Sequence, residues 1–364
     1  MYNDNRFGKS LLEVDISRVV ANYRKMSSLT NSQIAAVIKA NAYGLGAKQV
    51  AAGLYKAGCR DFCLAYIDEV VEVRTHIKGA RIYLFNSIDS QEYDYVVKYK
   101  IIPVLNTWGE IAGWSSHARK IAKKLPCIIH LETGMGRVGI QEGEVRKLID
   151  SGLLVSLDVK YIMSHLACAD EPNHILNQQQ LRQMHKLAGL FPQIKITFAN
   201  SAGLLLGKEY HFDQVRVGCA LYGVNPVSVN PTPVIPVAVL KAYVLCVRTL
   251  EHDITISYGA THLARKGAKI ATLACGYADG YSRALSNKVE GYYAGYRVPI
   301  IGVVTMDMVM ADVSHVPDHL LDNMTYIELM GDNITVDELA ERAKTIGYEI
   351  LTSLGHRFKR IYIE

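Results

Sequence analysis

The sequence of 364 residues predicts an α/β protein, in which a (β/α)8 barrel over residues 1–234 is followed by a mainly β domain over residues 235–364. Two patterns predict this architecture. In the first part, eight short and almost continuously apolar runs alternate with amphipathic segments of helix length, as barrel strands do under covering helices. From the proline-rich stretch 230–237 onwards, β-branched runs punctuated by turn residues follow one another without helix-length spacers.

Eight segments have the composition of buried barrel strands. In chain order they are 35–39, 62–66, 81–85, 101–105, 127–132, 160–166, 195–200 and 214–218. The segments between them carry apolar residues at three- and four-residue steps, which predicts helices, as in 47–58 and 177–191. In the second part, strands are predicted within 241–250, 269–277, 297–313 and 325–331. One helix is predicted over 335–347, where Thr335 as N-cap precedes Glu338 at the capping-box spacing.

Composition and charge argue against several classes of function. The net charge of +5 is small and the basic residues are scattered, so no nucleic-acid-binding surface is predicted. No apolar run reaches membrane-spanning length, and the first residues lack the apolar core of a secretory signal. Seven widely spaced cysteines fit neither a disulfide framework nor a zinc site. We therefore expect a reduced, cytoplasmic protein without a metal or a membrane partner.

Polar side chains interrupt the apolar pattern where the predicted strands end. They are Lys39 after the first strand, Arg137 in the glycine-rich loop after the fifth, His165 after the sixth, Asn200 and Ser201 after the seventh, and Arg216 with Gly218 at the eighth. Taken singly, each fits an ordinary surface, core or capping residue. Independent causes would scatter such residues over both ends of a barrel, whereas chemistry places them at the carboxyl ends of the strands. We therefore expect one active site at this rim.

The chemistry of these residues favours one cofactor. A lysine at a strand end in a partly apolar pocket can lose its proton and attack carbonyl groups. A hydroxyl group beside the backbone N–H groups of glycine loops binds anions. Together with aromatic neighbours, such a lysine and anion cup suggest pyridoxal phosphate held as a Schiff base.

The predicted site residues lie within longer motifs, such as VIKANAYGLG around Lys39 and VRVGCALYG around Arg216. These motifs resemble those of the alanine racemase family. VIKANAYGLG (37–46) is similar to the family's cofactor-lysine signature. Further similar motifs follow in the family's order: TGMGRVG, SHLACADE, FANSAG, VRVGCALYG, YGATH, GYADGY, IIGVVTMD and YEILTSLG. The resemblance runs from about residue 10 to the end of the chain. It implies a pyridoxal phosphate-dependent isomerase that interconverts L- and D-alanine and supplies D-alanine for peptidoglycan.

The resemblance also implies roles for individual residues. Lys39 would carry the cofactor and act as one catalytic base, and Tyr277 would be the second base. The other implied cofactor-binding residues are Tyr43, Arg137, His165, Asn200, Ser201, Arg216, Gly218 and Cys219, and the implied substrate-binding residues are Arg137, Met306 and Asp307. Arg216 would face the pyridine nitrogen, where a fixed cation disfavours protonation of the ring. In the family, the tyrosine base comes from the partner subunit, which implies a homodimer with shared active sites.

The sequence departs from the family pattern at a few positions. His130 stands where many members carry a lysine that can be carbamylated, so a carbamate is excluded there and the partner of Arg137 is left open. Glu132 replaces the usual aspartate, and Thr305 replaces a frequent cysteine. His356 stands where some members have a tyrosine that reaches the phosphate, so that contact is in doubt.

Of three alternative functions, the sequence leaves the first open and argues against the other two. A serine or broad-specificity racemase of the same fold differs only in pocket width, which the sequence does not reveal. A decarboxylase of the same fold type would lack the KANAYG and GYADGY motifs. A non-catalytic pyridoxal phosphate-binding protein would consist of the barrel alone, without the region that carries Tyr277.

Overall fold

The computed structural model describes residues 8–227 and 234–364 of the chain. Residues 230–233 of the predicted proline-rich junction lie outside the described residues. The first strand, β1 (Leu11–Asp15), does not join the barrel. It ends at Asp15, whose carboxylate accepts a hydrogen bond from the Arg18 N–H (3.1 Å) and so caps the first helix.

Eight parallel strands form the closed barrel that the sequence predicts. They are β2 (Gln33–Val37), β3 (Asp61–Leu64), β4 (Arg81–Leu84), β5 (Ile101–Leu105), β6 (Leu125–His130), β7 (Leu157–Met163), β8 (Lys195–Thr197) and β9 (Gln214–Val217). Each strand pairs with its neighbours in chain order, and β9 closes the ring on β2 with Gln214 opposite Gln33. The predicted fold class is therefore confirmed.

Helices cover the outside of the barrel because their apolar residues lie on one face. They are α1 (Ile16–Ser28), α3 (Ala47–Lys56), α4 (Ile67–Val73), α5 (Tyr93–Lys98), α6 (Trp108–Lys120), α7 (Glu142–Asp150), α8 (Ile175–Ala188) and α9 (Gly203–Leu206). The short segment α2 (Lys39–Tyr43) is not one of these covering helices, because its backbone forms a left-handed turn at the rim. Short 3-10 helices occur at Leu153–Ser156, Lys208–Tyr210, Cys219–Tyr222, Tyr258–Ala260, Tyr277–Asp279 and Arg283–Leu285. None of the helices in the described ranges is both long and apolar enough to cross a membrane.

The predicted barrel strands differ from the observed strands mainly at their carboxyl ends. The strands predicted to end at 39, 166 and 200 end at Val37, Met163 and Thr197. Beyond these residues the chain turns along the rim of the barrel. The turn was not predicted because no proline or other turn signal separates the strand from the polar residues that follow it.

A polar network closes the amino end of the barrel. Asp61, almost fully buried, accepts hydrogen bonds from Arg81 Nε (2.5 Å), Tyr83 Oη (2.7 Å) and Gln33 Nε2 (2.6 Å). A carboxylate tolerates such burial only when it is paired and hydrogen-bonded. Further along the strands the barrel interior is apolar, with residues such as Val37, Val104, Ile128 and Met163.

The second domain is mainly β, as predicted. Its strands are β10 (Ala238–Thr249), β11 (Ile254–Ile256), β12 (His262–Ala264), β13 (Lys269–Leu273), β14 (Glu290–Tyr293), β15 (Tyr296–Ile301), β16 (Val309–Asp312), β17 (Tyr326–Met330) and β18 (Lys359–Ile363). The main sheet has the order β13-β16-β15-β14-β17-β10-β1-β18. Strand β1 pairs antiparallel with β10 and parallel with β18, so the sheet includes the segment that leads directly into the barrel.

The helix predicted over 335–347 is divided in the structure. Helix α10 is Asp318–Leu321, α11 is Val336–Ala343 and α12 is Gly347–Ser353. Thr335 caps α11 as predicted, because its Oγ1 accepts a hydrogen bond from the Glu338 N–H (3.1 Å). The helix ends where Lys344 adopts a φ of 58°, a left-handed conformation that stops a right-handed helix.

Candidate active site

The carboxyl rim of the barrel encloses two adjoining cavities of about 350 and 530 Å³. Both are lined by Lys39, Phe85, His165 and Arg216. The first is also lined by Tyr43, Asn200, Ser201, Gly218 and Cys219, and the second by His130 and Arg137. The structure therefore brings together all the barrel residues that the sequence singled out for the site.

Lys39 begins a turn whose backbone is left-handed. The four residues 40–43 have φ between 52° and 55°. This conformation costs an L-amino acid roughly 1–2 kcal/mol per residue, so the turn needs support from its surroundings. Gly44 ends the turn at a φ of 85°, and a Cβ there would lie 2.4 Å from the Leu351 carbonyl oxygen. The turn brings Lys39 and Tyr43 to the same cavity.

The carboxylate of Glu69 holds this turn. One oxygen accepts a hydrogen bond from the N–H of Ala40 (2.6 Å), the residue after Lys39. The other accepts from the N–H groups of Ala65 (2.7 Å) and Tyr66 (3.1 Å), which follow β3. Glu69 therefore fixes the start of the lysine turn against the end of the neighbouring strand.

The surroundings of Lys39 favour its neutral amine. Burial lowers the pKa of Lys39, and the Arg137 cation lowers it further, whereas the Glu69 carboxylate acts in the opposite direction. Desolvation penalises an ammonium group, and so does a like charge nearby. The lysine is therefore prepared to act as a nucleophile or a base.

Arg216 is buried beside the cavity and orients His165. Its Nη1 donates to Thr197 Oγ1 (2.8 Å), while Nη2 donates to the carbonyls of Ser164 (2.8 Å) and Phe198 (3.1 Å) and to His165 Nδ1 (3.0 Å). A guanidinium only donates, so His165 accepts at Nδ1 and carries its hydrogen on Nε2. Burial and the Arg216 cation hold the pKa of His165 well below its usual range. None of the four acceptors is negatively charged, so they leave the charge of Arg216 uncompensated.

Ser201, Gly218 and Tyr43 form a cup at one end of the first cavity. Ser201 Oγ accepts a hydrogen bond from the Gly218 N–H (2.9 Å). A Cβ at Gly218 would lie 2.6 Å from Tyr43 Oη, so a larger residue there would displace the Tyr43 hydroxyl from its present position. Burial raises the pKa of Tyr43, which therefore stays protonated and can donate. Hydroxyl and backbone N–H groups in a concave pocket are suited to binding a phosphate.

Asn200 also lines this cavity, and it has a structural partner. Its Oδ1 accepts a hydrogen bond from the Gly203 N–H (2.8 Å) at the start of α9. The amide therefore stabilises the turn that carries Ser201.

Glu132 folds the loop that carries Arg137. One carboxylate oxygen accepts hydrogen bonds from the N–H groups of Gly134 and Met135, and the other from those of Gly136 and Arg137. The carboxylate thus binds the backbone of the loop, while the Arg137 side chain is exposed at the second cavity.

The predicted site residues of the second domain are located elsewhere. Over the described residues, the lining of the two cavities does not include Tyr277, Met306 or Asp307. Tyr277 is 43% exposed and Met306 is 52% exposed. The structure of a single chain therefore does not bring these residues together with Lys39.

Comparison with known protein families accounts for both domains. The family model described as the alanine racemase N-terminal domain matches residues 14–226, and that of the alanine racemase C-terminal domain matches residues 237–362. The chain belongs to the alanine racemase family. A catabolic alanine racemase of Agrobacterium fabrum is 40% identical over 356 residues, which cover 97% of this chain and 92% of that protein. The alanine racemase of Rhodospirillum rubrum is 40% identical over 357 residues, which cover 97% and 96%.

Solved structures of alanine racemases share the fold. The enzyme of Bartonella henselae, which has covalently bound pyridoxal phosphate, superposes with a TM-score of 0.92 at 38% identity and covers 98% of this chain and 99% of that one. The enzyme of Streptomyces coelicolor has a TM-score of 0.92 at 26% identity and covers 100% of both chains. The predicted family is therefore confirmed, together with the pyridoxal phosphate dependence of that family.

His130, one of the predicted departures from the family pattern, is a buried neutral imidazole. Burial and the cations of Arg216 and Arg137 lower its pKa to about 3. Asn106 donates through Nδ2 to the carbonyls of Phe85 and Val104 (3.1 Å each). Its Oδ1 therefore accepts from His130 Nδ1 (2.8 Å), which leaves Nε2 of the imidazole as an acceptor.

Sequence reasoning missed three residues of this alanine racemase site. Glu69 supports the lysine turn, and its position in the first turn of a predicted helix is a capping signal that would have found it. Gln180, fully buried, donates to the His165 carbonyl oxygen (2.8 Å) and fixes the segment after β7. Tyr348 lines the first cavity and packs edge-on against Tyr43 (6.3 Å between ring centres), whereas His356 is exposed and lines neither cavity.

Proposed function

We propose that this protein interconverts L-alanine and D-alanine by two-base proton transfer, with pyridoxal phosphate attached to Lys39. The observation that supports this most strongly is the convergence at one rim cavity of three features. These are a lysine with a lowered pKa, a cup of hydroxyl and backbone N–H groups, and the buried guanidinium of Arg216.

The residues of the cavity fit pyridoxal phosphate. Lys39 would form the covalent bond to the cofactor, as the covalently bound cofactor of the Bartonella relative suggests. Tyr43, Ser201 and the backbone N–H groups of Gly218 and Cys219 would bind the phosphate, for which the Gly218 N–H would exchange its bond to Ser201 Oγ. Arg137, His165, Asn200 and Arg216 would surround the ring. When bound, the cofactor withdraws electrons from the α-carbon of the substrate and makes its proton removable.

Arg216 would determine how strongly the cofactor withdraws electrons. A fixed cation beside the pyridine nitrogen disfavours its protonation, since like charges repel. By keeping the ring neutral, Arg216 would favour return of the proton to the α-carbon rather than to another carbon. His165 accepts a hydrogen bond from Arg216 at Nδ1 and carries its hydrogen on Nε2. It would therefore donate through Nε2, on the side of the imidazole that faces away from Arg216.

Racemisation requires a base on each face of the α-carbon, and Lys39 reaches one of them. Tyr277 is partly exposed on the second domain, where the partner subunit of a homodimer would receive it. Lys39 would take the α-proton of D-alanine, and Tyr277 that of L-alanine. The backbone N–H of Met306 would meet the substrate carboxylate, with Asp307 beside it. In this proposal, residues 1–234 bind the cofactor and residues 235–364 supply Tyr277 to the partner.

The product D-alanine would serve peptidoglycan synthesis. The same cavity would accept serine if its width allows, so rates with L-serine and L-alanine are to be compared. Complementation of a bacterium that requires D-alanine tests the cellular role. The cytoplasmic location stays a prediction from the seven free thiols.

Mixing two inactive variants tests the shared site. Lys39→Ala should lose the borohydride-reducible visible absorbance of the cofactor, and both Lys39→Ala and Tyr277→Phe homodimers should be nearly inactive. After subunit exchange, each heterodimer has one site with both bases and one with neither, so about a quarter of the native sites should return. No recovery, despite exchange verified with mass-labelled chains, would contradict the two-chain site. A covalent cofactor adduct on another residue would contradict the role of Lys39.

A further inference from the structure

Arg357 lies between the two loops that carry the second-domain residues of the proposed site. Its Nε contacts Asp279 Oδ1 at 2.9 Å, and its Nη1 contacts Asp307 Oδ1 at 2.8 Å. Asp279 ends the 3-10 helix that begins at Tyr277, and Asp307 directly follows Met306. One guanidinium therefore connects the loop of the proposed base to the loop of the proposed carboxylate-binding group.

The backbones of these loops are docked against each other. The Tyr277 N–H donates to the Thr305 carbonyl oxygen and the Ala278 N–H to that of Met306, both at 3.0 Å. A Cβ at Gly276 would lie 2.3 Å from the Met306 carbonyl oxygen, so a larger residue would separate the loops. The relative position of Tyr277 and Met306 is thus fixed by contacts within one chain.

Of the two carboxylates that contact Arg357, that of Asp279 is the buried one. It is 4% exposed, and its Oδ2 accepts a hydrogen bond from the Gly276 N–H (2.8 Å). A buried carboxylate that loses its cationic partner must regain water or take up a proton. Either change alters the loop that begins with Tyr277, so the loop depends on Arg357.

We propose that Arg357 is a positioning residue, which holds the Tyr277 hydroxyl and the Met306 N–H as one unit for the site that receives them. Arg357 contacts neither group through its ion pairs and acts through Asp279 and Asp307. This inference rests on the proposed two-base function, in which Tyr277 serves the face of L-alanine.

Hydrogen exchange in the holoenzyme tests the positioning directly. Arg357→Met should raise amide exchange in 276–280 and 305–308 at least about tenfold, the factor expected when a charge-assisted bond to a buried carboxylate is lost. Arg357→Lys should have a smaller effect, because an ammonium group keeps the positive charge but lacks the planar N–H donors of a guanidinium. Arg265→Met is the matched control, since Arg265 pairs with Asp253 at 2.7 Å on the exposed surface of the same domain (side chains 74% and 47% exposed). It should leave both loops unchanged, and cofactor content should be equal in all variants.

Isotope effects test the consequence for proton transfer. L- and D-alanine are equally stable, so kcat/KM must fall equally in both directions and cannot distinguish the two bases. With alanine deuterated at the α-carbon, Arg357→Met should raise the isotope effect from the L side, where Tyr277 removes the proton. With D-alanine as the substrate, the isotope effect should fall towards a value of one. In that direction, delivery of a proton by Tyr277 becomes the rate-limiting step.

Two results would overturn this role of Arg357. One is native exchange and native isotope effects in Arg357→Met. The other is a rise in exchange across both domains with unchanged isotope effects, which would indicate a purely structural role. Tyr277→Phe is measured in parallel: if it racemises at the native rate, the two-base function fails and the role of Arg357 with it. If Tyr277→Phe is inactive but Arg357→Met behaves as the native enzyme, only the inference on Arg357 fails.

Discussion

Replacing Glu69 with glutamine should weaken cofactor binding although Glu69 does not line the cavities. The Glu69 carboxylate accepts three backbone N–H groups, those of Ala40, Ala65 and Tyr66, at 2.6, 2.7 and 3.1 Å. Glutamine retains one acceptor oxygen, which can serve Ala65 and Tyr66. Its amide nitrogen then faces the Ala40 N–H, where two donors meet and the bond is lost.

The size of the effect follows from this lost bond. A hydrogen bond to a charged group contributes about 1.5–3 kcal/mol, and the remaining two fall to about 0.5–1.5 kcal/mol each when the acceptor is neutral. The lost bond holds a turn of four left-handed residues, each of which costs roughly 1–2 kcal/mol. In the cofactor-free Glu69→Gln variant, the left-handed turn should therefore relax, and binding of pyridoxal phosphate must restore it. Since 1.4 kcal/mol is a factor of ten, loss of about 1.5–3 kcal/mol raises the Kd for pyridoxal phosphate roughly 10- to 150-fold.

An opposing effect makes the direction of this change informative. The Glu69 carboxylate raises the pKa of Lys39 in the native protein, so its removal lowers that pKa and favours the reactive neutral amine. A purely electrostatic role for Glu69 would therefore predict unchanged or tighter cofactor binding. Weaker binding indicates that support of the turn is the larger contribution.

The assay is titration of the cofactor-free protein with pyridoxal phosphate, followed by visible absorbance. Glu72→Gln is the control: Glu72 lies in the same helix and pairs with Lys48 at 3.2 Å, with side chains 25% and 45% exposed. Such surface pairs contribute about 0–1 kcal/mol, and this one should leave the Kd within a few-fold of the native value. The reasoning is refuted if Glu69→Gln binds the cofactor as tightly as the native protein, or if both variants weaken binding equally.

Three further predictions concern the charges of the site. Activity should not depend on dissolved carbon dioxide, because His130 replaces the lysine that would carry a carbamate; a rate lost on degassing and restored by bicarbonate would contradict this. Arg216→Glu should slow racemisation, raise transamination and produce a new visible absorption band with alanine, because an anion favours a protonated ring; slower racemisation alone would refute the electrostatic role. His130 has a pKa of about 3 in the folded protein, so below pH 6.5 the unfolded chain binds a proton that the folded one does not, and stability is lost as the pH falls towards 3. His130→Asn should remove up to about 1.4 kcal/mol per pH unit from that slope, and an equal slope of thermal stability between pH 6.5 and 4 in both proteins would contradict it.

The barrel could be predicted because each strand is buried on both faces and is separated from the next by a helix. What the pattern does not predict is where a strand ends and where an edge strand belongs. Lys39 directly follows Val37 and Ile38 without a turn residue, and the backbone reverses its handedness at Ala40 only because distant groups hold it there. Strand β1 is short, and its partners β10 and β18 are more than 200 residues away in the chain.

The charged and hydroxyl side chains of the site could be predicted because they interrupt apolar strands with chemistry that the strands do not need. Their supports could not be predicted in this way. Gln180 acts on the backbone of His165, and Glu132 on that of its own loop, so neither shows a pattern of its own in the sequence. A side chain that binds backbone can be placed only when the fold of that backbone is known.

The C-terminal segment shows why long-range supports stay hidden in the sequence. Arg360 Nη2 donates to the Gly44 carbonyl oxygen (3.2 Å), which ends the turn of Lys39, while Gly355 N–H donates to the Asp279 carbonyl oxygen (2.8 Å) beside Tyr277. In the proposed homodimer, Lys39 serves the chain's own site and Tyr277 serves the partner's. One segment of six residues, 355–360, therefore contacts the supports of two different active sites, although the chain separates these contacts by about 75 and 315 residues. The residues that directly precede this segment, 351–354, are packed against the same turn and the same tyrosine loop, without room for a Cβ at Gly44 or Gly280. A displacement of residues 351–360 at one site would therefore have to strain either the left-handed turn or the tyrosine loop.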